Sequence, residues 1–229
     1  MMKKSISRLA LTGLCGAALL FAAACQQTDV IGNGSVASFQ KVADVLSDNI
    51  QADEANAGWA LTAPDGSARF IWSSDYSRSP LYDVSLEFDA QPFIDAGLDV
   101  SKLPDGMVSG DKIIVGTNLG EDILTYDGDP TPVASYEKLV RLKRGSIKYH
   151  AALGHYGVDL TGGNAFEWAK DMDANDKDIV FALNPEPFID AGVDPDSIEG
   201  WVFAKVPAMD EKGNEIEVDK ILKPFDLNE

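Results

Sequence analysis

The chain has 229 residues, 45% of them apolar, with 37 acidic residues against 19 basic ones and a formal charge of −18. That is enough chain and enough apolar content for one substantial domain or two small ones with a real core. A surface this acidic repels nucleic acid and anionic lipid, which argues against a DNA- or RNA-binding role.

In chain order, Lys3, Lys4 and Arg8 precede an apolar run from Leu9 to Ala24 that ends in Ala22-Ala23-Ala24. A charged start, an apolar stretch and small residues at its end are the parts of a secretory signal, and the run is shorter than the ~20 residues of a committed membrane span. Cys25 follows directly. The segment resembles the lipobox of bacterial lipoproteins, with Ala22 where that family most often has Leu; ordinary signal-peptidase cleavage after Ala24 is the alternative. The resemblance covers the first 25 residues only. It implies a signal peptide over 1–24, a lipidated Cys25 opening a linker over 25–34, and a membrane partner reached through that lipid. The location implied is the outer face of the bacterial cell membrane or the outer membrane. Cleavage would leave 16 basic residues against 37 acidic, a formal −21, and Cys25 as the sole cysteine. With no internal disulfide, stability must come from the core.

The body is written twice. Pro92-Phe93-Ile94-Asp95-Ala96-Gly97-Leu98-Asp99 recurs at Pro187–Asp194 with Val193 in place of Leu98. Ser38-Phe39-Gln40-Lys41-Val42 matches Ser135-Tyr136-Glu137-Lys138-Leu139, and Phe70 to Asp75 matches Phe166 to Asp171. Asp111-Lys112-Ile113-Ile114 matches Asp219-Lys220-Ile221-Leu222 at a longer offset, as duplication followed by a loop insertion would leave. Residues 35–125 and 132–229 therefore read as two copies of one unit joined by a linker over 126–131.

Each copy opens with a helix. Phe39, Val42, Leu46 and Ile50 fall at helical spacing with Val45 on the same side. The second helix starts at Thr131-Pro132, a cap followed by proline at the first helical position, and should stop near Gly145. A hairpin comes next, Trp59–Thr62 with Ala68–Trp72 around Ala63-Pro64-Asp65-Gly66, matched by Tyr156–Leu160 with Ala165–Trp168. A third strand, Tyr82 to Phe88, alternates apolar and polar residues, hence an antiparallel sheet with one buried face. Its match, Ile179–Leu183, is apolar on both faces. In the octapeptide, proline opens a single helical turn, Phe93 and Ile94 plug the core, and Gly97 or Gly192 closes the turn; the aspartates cap turns. A closing pair of strands follows, tight around Ser109-Gly110 in copy one. In copy two Trp201–Val206 and Ile216–Leu222 are joined by a longer arm. The expected fold is α+β, a tandem duplication of a helix plus about five antiparallel strands, the copies related by a pseudo-twofold. In layout this resembles the β-lactamase inhibitory proteins, a likeness of arrangement without shared motifs, and arrangement does not carry function.

The candidate sites are few. Aromatic residues can line a ligand site, and one between the copies would be lined by Trp72, Trp168 and His155; packing is the plainer role of these aromatics. Asp171, Asp173, Asn175, Asp176 and Asp178 open like a Ca²⁺ loop with oxygen ligands on alternate residues. The pattern then fails, with Asp176 where glycine is needed and Ala182 where a bidentate glutamate is needed, so an acidic turn competes with the metal reading. Lys138, Arg141, Lys143, Arg144 and Lys148 gather five basic residues in eleven positions, either as cations at a helix C-terminus or as a docking patch. His150 and His155 lack a third partner at catalytic or metal-binding spacing. The expectation is a lipid-anchored extracytoplasmic binding module for an envelope protein or glycan, without a catalytic set. The alternatives are a small-ligand or Ca²⁺ binder between the repeats, and a hydrolase of envelope material using a histidine with a carboxylate.

Overall fold

The computed structural model describes residues 30–74, 76, 82–118, 130–151, 153–172, 178–210 and 212–225. Over these residues the chain is α+β, with two antiparallel six-stranded sheets and few helices. The first unit contains α1 (Ser35–Val45), β1 (Ile50–Asp53), β2 (Gly58–Thr62), β3 (Ala68–Ser73), β4 (Val84–Asp89), α2 (Gln91–Asp95), β5 (Val108–Ser109) and β6 (Lys112–Thr117). The second contains α3 (Pro132–Leu142), β7 (Ile147–His150), β8 (His155–Leu160), β9 (Asn164–Ala169), β10 (Ile179–Leu183), α4 (Glu186–Asp190), β11 (Val202–Met209) and β12 (Glu215–Phe225). Strand order is β1-β2-β3-β4-β6-β5 in one sheet and β7-β8-β9-β10-β12-β11 in the other. Each unit thus supplies one sheet, and the two orders correspond strand for strand.

The helix ends obey local chemistry. Thr131 caps α3 by accepting a hydrogen bond from the Ala134 N–H, and Pro132 takes the first turn, where its missing donor costs nothing. Helix α1 is shorter than its apolar spacing suggests. The backbone N–H groups of Asn49 and Ile50 both donate to the Leu46 carbonyl, which winds the chain into a tight turn, and Ile50 opens β1 instead of ending the helix. Val45, expected on the core side, is 55% exposed. Strands β1 and β7 bring each sheet to six strands where about five were expected. Both are edge strands of four residues, too short for a clear alternation.

The sheets do not fuse. They share a single core instead, because their inner faces meet: Phe70 on β3 stacks on Phe166 on β9 with ring centres 4.2 Å apart. The helices cross over. Ser38 on α1 donates to the Lys170 carbonyl beyond β9, and Ser135 on α3 donates to the Ser74 carbonyl beyond β3. Trp168 Nε1 donates to Ser38 Oγ and Trp72 Nε1 to the Pro132 carbonyl, each at 3.1 Å. Each helix is therefore bonded to the sheet of the other unit, and Phe39 stacks on Tyr136 where the helices meet. Neither unit is a core by itself.

The repeated octapeptides meet as well. Asp99 N–H donates to the Ala191 carbonyl and Asp194 N–H to the Ala96 carbonyl, both at 2.9 Å, while Phe93 packs on Phe188. Gly97 (φ 104°) and Gly192 (φ 103°) stand back to back. A Cβ on Gly97 would lie 2.7 Å from the Gly192 carbonyl oxygen. Asp99 and Asp194 cap the following turns, as expected of them. Ile94 does not plug the core: it is 41% exposed, because the single turn of α2 points only Phe93 inward. Tyr82 also departs from expectation. It precedes β4, and its ring lies over Gly116, on the sheet face opposite Val84, Leu86 and Phe88.

Candidate functional site

The structure does not bring Trp72, Trp168 and His155 together. Both tryptophans are fully buried with Phe39 between them, ring centres 5.4 and 5.5 Å away, so the seam between the units is packed with aromatic rings. His155 is on β8, where Tyr156, Val158 and Leu160 enter the core, and a strand turns alternate side chains to opposite faces. It therefore belongs to the outer face, away from Trp168. The expected inter-repeat pocket is corrected to core by these placements.

That outer face carries a polar cluster. Glu167, between the core residues Phe166 and Trp168, points outward and lies between both histidines: His155 Nδ1 is 3.8 Å from one carboxylate oxygen and His150 Nδ1 4.0 Å from the other. Register explains the gathering. His150 pairs with His155 across β7–β8, and Glu167 pairs with Gly157 across β8–β9. A Cβ on Gly157 would stand 3.2 Å from Glu167 Cγ, so the missing side chain leaves room for the carboxylate. Asp159 and Lys220 complete the cluster, with Lys220 Nζ donating to the Gly163 carbonyl. Burial pushes the Asp159 carboxyl above its usual range, against the pull of Lys148, His150 and Lys220, and Glu167 pushes it further. Burial likewise holds the Lys220 ammonium below its usual range, against Glu167 and Asp159. Opposite shifts on neighbouring groups mark a face whose charges are partly desolvated, a common property of binding and catalytic surfaces. Glu167 is the residue sequence reasoning missed; the alternation Phe166-Glu167-Trp168 was the signal for it. The first sheet has a different arrangement, an ion network in which Arg69 joins Asp53 at 3.2 Å and Glu87 at 2.8 Å.

Beside the cluster, the second sheet extends into an arm. β5 is two residues long, whereas its counterpart β11 has eight, paired with β12 from Val202–Leu222 out to Met209–Glu215. The arm places Val206 opposite Val218 and Ala208 opposite Ile216 on the face shared with Lys220, so an apolar stripe continues from the polar cluster. Met209 (63%) and Ile216 (40%) are exposed at its end. Asp210 closes the tip, accepting from Lys212 and Asn214 N–H groups. β11 is the sheet edge, and Pro207 removes one donor from it.

The other predicted sites lie elsewhere. Asp171 is at the surface and Asp178 is fully buried, its carbonyl accepting from Ala169 N–H at 2.7 Å; Asp173, Asn175 and Asp176 lie outside the described residues. Among the described residues no group of three or more His, Cys, Asp or Glu side chains is placed to hold a metal ion. Arg141, Arg144 and Lys148 are exposed and Lys138 and Lys143 half-buried, all at the C-terminal half of α3 and the start of β7. A shallow groove of about 420 Å³ runs between α1 and α3 past Val36, Ala37 and Val133, away from the histidines. Cys25 lies outside the described residues. Among the described residues no helix is long and apolar enough to cross a membrane. No family model, curated protein sequence or solved structure matches the chain.

Proposed function

We propose that this chain is a lipid-anchored, extracytoplasmic interaction module that holds an envelope partner on the outer face of its second sheet and the arm beyond it. The anchor is Cys25, and the module is a tandem duplication whose copies are related by a pseudo-twofold. Supporting the duplication are the paired bonds: Ser38 with Ser135 and Asp99 with Asp194 each make one half of a matched pair. Tyr76 and Met172, at matching positions, also share a φ of 53°.

The observation that carries the binding role is the difference between the copies. Their cores correspond, yet only the second adds the arm, whose apolar stripe runs from the partly desolvated charges out to the exposed Ile216. Exposed apolar side chains rimmed by charge are the usual composition of a protein-binding surface. The test is native mass spectrometry on protein gently extracted from its envelope, with a variant in which residues 207–217 are replaced by a short turn. The expected result is an acyl mass at Cys25 in both, and a partner mass retained by the parent and lost by the variant, with equal thermal unfolding midpoints. A partner mass retained equally by the variant would refute the role of the arm.

A second reading rests on the His150–Glu167–His155 cluster, which has the groups for general acid–base chemistry on a hydrolysable substrate. Activity screening of His155→Ala and Glu167→Gln against the parent separates the two readings, since only an enzyme loses turnover while keeping its partner.

A further inference from the structure

We infer that the basic end of α3 is a membrane-facing surface that docks on the anionic phospholipid headgroups around the lipid anchor, and so turns the arm away from the bilayer. The inference rests on the anchored reading of Cys25. Three observations carry it.

The first is where the chain emerges from its tether. A π-helical turn, Val30–Gly34, leads into α1 and packs against β7. A Cβ on Gly32 would stand 3.3 Å from Arg144 Nη2, so the Arg144 guanidinium lies against the first turn of the folded chain. Four residues lie between Cys25 and Val30, so five chain steps span at most about 18 Å. The tether thus holds this corner close to the headgroups.

The second is charge. Residues 138–148 hold Lys138, Arg141, Lys143, Arg144 and Lys148 with no acidic residue among them. Lys170 joins them, its Nζ 5.6 Å from the centre of the Tyr149 ring on β7. In a chain with 37 acidic residues such a concentration is exceptional, and it stands beside the tether. The bulk of the surface is repelled by an anionic bilayer while this corner is attracted, a combination that orients the molecule as well as holding it. Attraction of this kind acts over about 8–10 Å at physiological salt, within the reach of so short a tether.

The third is topology. β7, which follows the basic end of α3, is one edge strand of the second sheet, and β11 of the arm is the other. Five interstrand steps of about 4.8 Å separate them, roughly 24 Å. With the β7 edge at the headgroups, the arm stands at the far side of the sheet, clear of the bilayer and open to a partner.

The test uses the acylated protein reconstituted in vesicles. The acylated Cys25 has no free thiol and Cys15 leaves with the signal, so an introduced cysteine is the sole site for a dye. Gly145→Cys places it in the patch, at an exposed position where a Cβ meets nothing within 4 Å, and Lys212→Cys places it at the exposed tip of the arm. Quenching by headgroup spin-labelled lipid is compared in phosphatidylcholine vesicles with and without phosphatidylglycerol. The expected result is strong quenching at position 145 and little at 212 when phosphatidylglycerol is present. Arg141→Gln and Lys148→Gln should reduce the patch-down population roughly fivefold for each charge removed, with unchanged thermal unfolding. Equal quenching at both positions, or quenching indifferent to phosphatidylglycerol, overturns the inference while an acyl mass at Cys25 leaves the anchor standing. A protein without the acyl mass removes the anchor, and this orientation falls with it.

Discussion

Gly97→Ala probes the place where the two octapeptides meet. Two costs add there. An L-residue at φ 104° is strained by about 1–3 kcal/mol. The added Cβ, 2.7 Å from the Gly192 carbonyl oxygen, must also push the segments apart, weakening the hydrogen bonds Asp99 N–H to Ala191 and Asp194 N–H to Ala96. At about 0.5–1.5 kcal/mol for each bond, the combined loss is roughly 2–6 kcal/mol. For a domain of this size that lowers the thermal midpoint by about 5–15 °C. Gly66→Ala is the control: it stands at φ 74° with nothing within 4 Å of a Cβ, so it bears the backbone strain alone. Chemical denaturation of the parent and both variants measures the difference. If Gly97→Ala costs no more than Gly66→Ala, the octapeptides do not touch and the shared core is wrong.

Trp168→Ala removes a fully buried indole and leaves Ser38 Oγ without its donor, so a loss of about 3–5 kcal/mol in denaturant titration is expected; Trp168→Phe should recover part of it. Arg69→Gln leaves the buried Asp53 carboxylate with its Asn56 hydrogen bonds but without its cation, and should cost about 2–4 kcal/mol, less than a fully buried pair because Arg69 is partly exposed. Burial raises the Asp65 carboxyl, but hydrogen bonds from Lys223 and Ser67 outweigh it and hold the group below its usual range. A depressed carboxylate contributes stability above its unfolded pKa of about 3.9 and loses it as pH falls through the lower folded value. The parent should therefore lose more stability than Asp65→Asn as pH drops below about 4, read from midpoints in a pH series.

Much of the fold is legible in the sequence because its signals are local. The Thr131-Pro132 cap, the Ala63–Gly66 turn and the aspartate caps at Asp99 and Asp194 are each decided within a few residues, and the structure has all of them. What was not legible depends on partners distant in the chain. Phe39 and Trp168 read as apolar residues of separate units, yet α1 bonds to the other unit's sheet, because burying the two tryptophans around Phe39 completes a core that neither unit has alone. Val45 shows the limit of periodicity: its helix ends at that residue, and its side chain is exposed although Phe39, Val42 and Leu46, assigned to the same side, are buried. The candidate site was half legible. The two histidines and the arm stood out in the sequence, but bringing Glu167 between the histidines needs the β8–β9 register and the vacancy opposite Gly157, neither of which a linear pattern specifies.

The central claim, that the arm of the second sheet holds an envelope partner, is tested most directly by photo-crosslinking in the intact cell. A benzophenone side chain at Ile216, exposed on the arm, is compared with one at Val100, equally exposed beside the first octapeptide. The account predicts a discrete crosslinked product from position 216 and none of that mass from position 100. The same product from both positions, or none from 216 while the protein is folded and acylated, would contradict it.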